Sequence, residues 1–407
     1  MQTKTKSKTQ KKWLRFRHKV VRSLLGWTLG VYTRFKYGLK VDKFRDKRPM
    51  LILFNHQTAF DQFFVGIAFP QPVYYVASED LFSNGWVSSL IRYLVAPIPI
   101  RKQTTDITAV MNCIRVAREG GTIAIAPEGN RTFSGRIVYM SDAIAPLAKK
   151  LKLPIALFRI EGGFGVQPRW SDGTRKGKMH AYVSQVIEPE KYASMTNEEL
   201  FERIREGLNV DEVVADGPFK SKKKAEYLER VAYVCPDCGL SEFESHGNEI
   251  ACKKCGKVIT YNEDKTLTGK GFDFPFRFYH EWYAYQEQFI NRLDVLQYTD
   301  EPIYQDQAQL SEVIVYKKKM LLRKQAQLSL YGDRLVIDEG GENALTLNFA
   351  DTSVITILGR NKLNIYYGKT LYQLKSHKRF NAMKYMHIFY RYKNITKGEP
   401  YAEFLGL

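Results

Sequence analysis

Two groups of side chains in the 407-residue sequence have types and spacings that could do chemistry. The first is Cys235-Pro-Asp-Cys238-Gly, followed after thirteen residues by Cys252-Lys-Lys-Cys255-Gly. Each CxxC bends into a knuckle whose two thiolates can reach one ion, and the glycine after the second cysteine lets the backbone turn with positive φ. Two knuckles make a closed set of four sulfurs, which suits a structural Zn²⁺ on Cys235, Cys238, Cys252 and Cys255. A closed set leaves no position for substrate, so catalytic zinc is disfavoured. His246, between the knuckles, reads as a loop residue and not a fifth ligand. The fifth cysteine, Cys113, sits in an apolar helical pattern and reads as core.

The second group is Asn55-His56-Gln57-Thr58-Ala59-Phe60-Asp61, directly after the apolar run Met50–Phe54. Five helical steps would leave His56 and Asp61 about 140° apart. They can therefore meet only if His56 lies in a loop and Asp61 in the turn after it. The carboxylate would then fix the imidazole tautomer and leave the other ring nitrogen a general base near neutral pH. Taken alone, the pattern also fits Asp61 as a helix-entry residue beside an ordinary loop histidine. A second loop, Pro127-Glu128-Gly129-Asn130-Arg131-Thr132, ends the run Thr122–Ala126. Glycine, a guanidinium and exposed amides at a strand's carboxyl end suit the grip of a phosphate or carboxylate.

The elements that must position these loops alternate between two periods. Short apolar runs bounded by turn residues fall at 50–54, 73–76, 98–100, 122–126 and 155–160. Helical patterns lie between them. One runs from Asp106 as N-cap to Gly120-Gly121, and another from Ser141 or Asp142 to Pro154. The alternation predicts an α/β domain, a mixed, largely parallel sheet flanked by helices, with functional loops at the carboxyl ends of the strands. A further helix is expected over Glu198–Leu208. After the basic run Lys220–Lys224 a helix should lead to the first cysteine pair, and an aromatic helix should cover Phe276–Leu296. Seven β-prone runs then follow, from Val313–Tyr316 to Leu371–Leu374, and Arg379–Tyr392 closes as a helix. That element order resembles a small pleckstrin-homology-like barrel. The resulting domains are a basic segment 1–45, the α/β domain 46–215, a linker and ribbon 216–270, an aromatic connector 271–308 and a β-rich domain 309–407.

Charge is distributed unevenly over these parts. The chain carries 62 Lys+Arg against 43 Asp+Glu, a formal charge of +19 that suggests a polyanionic partner. Residues 1–50 hold 16 basic and 2 acidic side chains, and residues 310–407 hold 16 and 8. The middle of the chain is close to neutral. The ribbon from Cys235 to Cys255 carries two lysines and four acidic residues, a poor footing for a phosphate backbone, so no nucleic acid is expected. Between Trp13 and Trp27, apolar residues at spacings of three and four are edged by Arg15, Arg17, His18, Lys19 and Arg22. This pattern suits a helix lying in the interface of an anionic membrane. The alternative is a helix packed on its own domain with a solvated basic face. No apolar run is long enough for a conventional spanning helix, and no secretory signal peptide is expected.

The two loops together resemble the glycerolipid acyltransferase family, whose type member is 1-acyl-glycerol-3-phosphate acyltransferase. Asn55, His56 and Asp61 match its Asn-His-x4-Asp block. Residues 126–132 match its Phe-Pro-Glu-Gly-Thr-Arg-Ser block with Ala, Asn and Thr in place of Phe, the first Thr and Ser. Ile98-Pro99-Ile100-Arg101 is similar to the second block, and Leu153-Pro154-Ile155 to the fourth. The resemblance covers roughly residues 20–210 and implies a glycerol-3-phosphate acyltransferase-like fold. It further implies acyl transfer from acyl-CoA or acyl carrier protein to the free hydroxyl of lysophosphatidic acid, giving phosphatidic acid in phospholipid biosynthesis. Another lysolipid or hydroxylated lipid is the alternative acceptor. A non-enzymatic zinc-ribbon protein that binds nucleic acid is the distant one. In this picture His56 and Asp61 are catalytic, and Asn55, Arg101, Glu128, Gly129, Asn130, Arg131 and Thr132 bind substrate, Arg131 most directly. The expected location is the cytoplasmic face of a membrane, peripheral or monotopic.

Overall fold

A computed structural model of the chain describes residues 12–83, 85–100, 106–137, 139–214, 216–314 and 319–399. The first half is built on a seven-stranded sheet. Its strands are β1 (Leu39–Val41), β2 (Leu51–Phe54), β3 (Val73–Ser78), β4 (Ile98–Ile100), β5 (Thr122–Ile125), β6 (Ile155–Glu161) and β7 (Met179–Ile187). They lie in the order β1-β7-β6-β2-β5-β3-β4. All neighbours are parallel except β6 and β7. The sheet is therefore mixed and largely parallel, as the alternating pattern predicts.

The helices of this half are α1 (Phe16–Tyr37), α2 (Asp61–Ala68), α3 (Trp86–Val95), α4 (Ile107–Arg118), α5 (Ile144–Leu151), α6 (Gly163–Val166), α7 (Pro189–Ala193) and α8 (Asn197–Leu208). The central strands read as unbroken apolar runs because both of their faces are covered. Leu51, Leu53, Ile123, Ile155 and Leu157 pack with Ile114, Ile144, Ala148, Ile204 and Leu208 of α4, α5 and α8. The alternate residues Ile52, Phe54, Ala124, Ala156 and Phe158 pack with Tyr37, Phe64, Val65 and Ala68 of α1 and α2. Helix starts were legible where a side chain caps them. The Asp106 carboxylate accepts from the Ala109 N–H, and Thr196 and Glu199 form a reciprocal capping box on α8. Helix α5 differs from expectation, because its N-cap is Ala143, with no side-chain cap, instead of Ser141 or Asp142.

The second half opens with a ribbon of short strands, β8 (Val234–Cys235), β9 (Gly239–Leu240), β10 (Phe243–His246), β11 (Glu249–Cys252), β12 (Val258–Tyr261) and β13 (Leu267–Gly269). The helix expected ahead of it is only a single 3₁₀ turn, Leu228–Arg230. Its residues are buried between the ribbon and the last helix, so tertiary packing and not helical periodicity sets their conformation. Helix α9 (Tyr279–Arg292) then leads to strands β14 (Tyr304–Glu312), β15 (Met320–Leu330), β16 (Arg334–Ile337), β17 (Leu345–Asn348), β18 (Thr352–Leu358), β19 (Lys362–Tyr367) and β20 (Thr370–Ser376), closed by α10 (Met383–Thr396).

The first strand of this sheet lies at 304–312, ahead of the expected run Val313–Tyr316, of which 315 and 316 lie outside the described residues. Its sequence Tyr-Gln-Asp-Gln-Ala-Gln-Leu-Ser-Glu buries only Tyr304, Ala308 and Leu310, so its polar positions hide the period of two. The strand order is β17-β16-β15-β14-β20-β19-β18, antiparallel throughout. Among the described residues β17 and β18 remain edges, so the sheet is an open, half-barrel version of the barrel expected. The ribbon, α9, this sheet and α10 share one core, which also takes in Phe133, Phe164 and Trp170 from the α/β half.

Candidate active site

Parallel pairing of β2 with β5 places Leu53 opposite Ile125, so the loops that leave the two strands start side by side. His56 stands in the first loop and Asp61 opens α2, the arrangement in which they can meet. The imidazole Nδ1 lies 2.8 Å from Asp61 Oδ2. The carboxylate is fully buried and also accepts from the Gln57 N–H at 2.6 Å, the Thr58 N–H at 2.9 Å and the Thr58 hydroxyl at 2.6 Å. Oδ2 already accepts from two backbone N–H groups and acts as acceptor toward the ring as well, so Nδ1 carries the proton and Nε2 is the basic nitrogen. The His56 side chain is 24% exposed, enough for Nε2 to meet a substrate.

Glu128 closes the loop from the other side. Its Oε1 accepts from the His56 N–H at 2.7 Å, so the acid of the second loop orients the histidine's own backbone. Burial pushes the Glu128 carboxyl up to about 8, and the nearby Asp61 charge adds to the effect, while the His56 N–H opposes it. The Thr132 N–H donates to the His56 carbonyl at 3.0 Å, and the Thr132 hydroxyl donates to the Arg136 carbonyl. Gly129 sits at φ +69°, a conformation that lets the chain double back at this point.

The remaining expected site residues divide. Asn55 donates from Nδ2 to the Ile160 carbonyl and accepts at Oδ1 from the Ile160 N–H, both at 2.8 Å, and is wholly buried. Its amide clamps the loop to β6, and Thr132 likewise braces the turn; both are built into the protein where substrate contacts were expected. Arg131 donates from Nε to the Gln57 carbonyl and from Nη2 to the Gln167 carbonyl. Burial lowers its pKa to about 10. Asn130 is half-buried beside it, and Arg101 lies outside the described residues.

Sequence reasoning missed the loop between β6 and β7. There Gln167 Oε1 accepts from the Ala59 N–H, and Arg169 donates from Nη1 to the Arg131 carbonyl at 2.6 Å and stacks on Phe133 at 3.6 Å. The available signal was the glycine run Gly162-Gly163-Phe164-Gly165. A Cβ at Gly163 would meet the Gln57 Cβ at 2.5 Å, so only glycine lets this loop lie against the His56 loop.

Away from this site, the sulfurs of Cys235, Cys238, Cys252 and Cys255 lie within 4.8 Å of one another, with Cys235 and Cys255 3.9 Å apart. A tetrahedral ZnS₄ centre with bonds of about 2.3 Å has edges of about 3.8 Å, so the cage fits the ion. Gly239 and Gly256, after the second cysteine of each knuckle, have φ of +69° and +72°. His246 ends β10, exposed and bonded to Glu244, outside the cage. Cys113 is buried in α4, and burial pushes its thiol up to about 12.

The surface around α1 is also unusual. Its N-terminal approach is fixed by Glu119, which accepts from the Trp13 and Leu14 N–H groups. Phe16, Val20, Leu24, Trp27, Val31 and Phe35 recur at spacings of three and four and are exposed. Neighbouring α3 adds exposed Trp86, Leu90 and Tyr93, and the Arg17 guanidinium lies 4.1 Å above the Tyr93 ring. The helix does pack on its own domain, and its solvent side combines this apolar stripe with exposed Lys19, Arg34 and Lys36. No described helix is long and apolar enough to cross a membrane.

Comparison with known proteins agrees with the site. Residues 39–160 match the acyltransferase family. The chain is 24% identical over 192 residues to the 1-acyl-sn-glycerol-3-phosphate acyltransferase of Bacillus subtilis, covering 47% of this chain and 89% of that protein. It is 28% identical over 141 residues to human 1-acyl-sn-glycerol-3-phosphate acyltransferase beta, covering 33% of this chain and half of that one. A crystal structure of the 1-acyl-sn-glycerophosphate acyltransferase PlsC from Thermotoga maritima aligns with TM-score 0.42 and 19% identity, over 48% of this chain and 80% of its own.

Proposed function

We propose that this chain, whose residues 39–160 form a domain of the acyltransferase family, moves a fatty acyl group from a thioester donor to the free hydroxyl of lysophosphatidic acid. The observation that carries the reading is the His56–Asp61 pair, with Nδ1 tied at 2.8 Å to a buried, four-fold hydrogen-bonded carboxylate and Nε2 left as base. His56 Nε2 takes the hydroxyl proton as the oxygen attacks the thioester carbonyl. The C–O bond forms, the C–S bond breaks, and the imidazolium returns the proton to the departing thiolate. Asp61 stabilises the transient imidazolium. No covalent enzyme intermediate is required, and the donor is acyl-CoA or acyl carrier protein. Glu128 and Thr132 hold the His56 backbone in place, and Arg131 with Gly129 and Asn130 forms the wall facing the acceptor's phosphate.

The outward apolar stripe of α1, its cationic neighbours and the exposed rings of α3 support seating on an anionic bilayer, peripheral or monotopic, at the cytoplasmic face. Such seating delivers a lysolipid to the site without extracting it far from the membrane. The four-cysteine cage supports a structural Zn²⁺ that staples a ribbon too small to own a core. The test is a turnover panel of purified protein with several lysolipids and both donor types, run beside His56→Ala. Phosphatidic acid formation that disappears in the variant, with folding and vesicle binding intact, is the expected result. Unchanged turnover in His56→Ala would sink the mechanism.

A further inference from the structure

We propose that the C-terminal sheet completes the acceptor site, with Arg360 at the tip of the β18–β19 hairpin as a second cation for an anionic headgroup. The inference deepens the acyl-transfer reading and rests on it. Three observations lead to it. First, the hairpin is docked against the second catalytic loop through Arg169, which is almost fully buried. Its guanidinium donates at once to the Arg131 carbonyl, at 2.6 Å, and to the Ile357 carbonyl of β18, at 3.2 Å. The tip itself is firm, because Asn361 Nδ2 donates to the Ser376 carbonyl at 2.6 Å.

Second, three neighbouring arginines are already engaged. Arg131 has Nε and Nη2 on backbone carbonyls, and Arg169 has a nitrogen on each of two. Arg230 donates to the Trp170 carbonyl and to Asp172. A phosphomonoester carrying close to two negative charges calls for more than one remaining donor edge.

Third, charge around Arg360 does not balance. Its Nη1 lies 3.2 Å from Asp172 Oδ1, but Arg230 occupies the same oxygen at 2.7 Å. Two guanidiniums on one carboxylate leave a positive charge in excess. That charge is close enough to Arg131 for Arg360 to lower the Arg131 pKa. The Tyr37 hydroxyl is wholly buried near Gln167, and it interacts electrostatically with both Arg131 and Arg360. A half-buried guanidinium that shares its one carboxylate with Arg230, on a hairpin docked to the Arg131 turn, is a site suited to an anion. Arg360 remains 31% exposed and can reach one.

The experiment uses the full chain and compares Arg360→Ala, Arg360→Lys and Asp172→Asn for steady-state kinetics with lysophosphatidic acid and for thermal midpoint. Loss of a charge-assisted bond to phosphate should raise KM about ten-fold or more in Arg360→Ala, with kcat within about two-fold, and Lys should restore part of it. Asp172→Asn breaks the same ion pair but leaves the cation, so its KM should stay level or fall. An interdomain clamp without headgroup contact predicts instead that both variants lose activity and stability alike, and that result, or an unchanged KM in Arg360→Ala, overturns the proposal. If the wild-type chain gives no phosphatidic acid from lysophosphatidic acid, the acyl-transfer reading fails first and takes this inference with it.

Discussion

The His56 loop and the cysteine ribbon each gather reactive side chains into a small volume, but they hold them by different means. In the ribbon the four sulfurs come from two tight knuckles only thirteen residues apart, and the proposed ion is what ties them together. In the catalytic loop the protein itself does the tying. Asp61 gathers the His56 ring and two backbone N–H groups, and Glu128, from a loop 72 positions away in sequence, takes a third N–H. On the proposed reading one site depends on a bound group for its rigidity and the other on hydrogen bonds anchored in a parallel sheet. Lesions in the two should therefore separate into stability and catalysis.

That separation can be broken or sharpened in four ways, taken from the largest expected effect down. His56→Ala should lower kcat by about 10²–10⁴ and leave the thermal midpoint nearly unchanged, measured by turnover and calorimetry on the same preparation. Cys238→Ser should do the opposite. Zinc content should fall, as read by atomic emission, and the midpoint should drop by about 5 °C or more while residual kcat per folded molecule is retained. A midpoint unmoved by both substitution and chelation would remove the ion from the account. Leu24→Glu with Trp27→Glu on the outer stripe of α1 should weaken binding to anionic vesicles about ten-fold or more in sedimentation assays, with turnover on detergent-dispersed substrate maintained.

The smallest effect is a pH slope. Glu128 has its carboxyl raised to about 8 in the folded protein against about 4.5 unfolded, so between these values the folded chain binds more protons than the unfolded one. Its contribution to stability is then greatest at low pH and declines as pH rises through that window, by at most about 1.4 kcal/mol per pH unit. Glu128→Gln should flatten that part of the profile in denaturant titrations between pH 5 and pH 8. Buried Glu212, raised to about 7 mainly by burial, contributes a similar slope that the substitution leaves in place. A variant as steep as the parent would show that Glu128 ionises normally in the folded state.

The same contrast explains what could be read from the sequence. The knuckles, their positive-φ glycines and the His56–Asp61 contact are local, and so they were legible. Strands β2, β5 and β6 were equally plain, because double-sided burial selects unbroken apolar runs. Strand β14 was not, since its paired backbone is satisfied by two neighbours while most of its side chains stay polar. The outward stripe of α1 was visible as a pattern, but which face met the domain was not. Arg22, engaged with the Phe69 carbonyl, and the buried His18 settle that orientation.

By itself the sequence determined the α/β alternation, the His56–Asp61 pair, the four-sulfur cage and the concentration of charge at the two ends. Each of these follows from residue type at short spacing, where geometry leaves few options. Only the tertiary structure decided that Asn55 and Thr132 are braces, that Glu128 holds the His56 backbone, and that Arg169 carries the C-terminal hairpin to the catalytic loops. Those contacts join residues 38 to 188 positions apart. The hydrogen-bond partner of a buried polar group at such a distance depends on how sheets and loops stack, which no local pattern encodes.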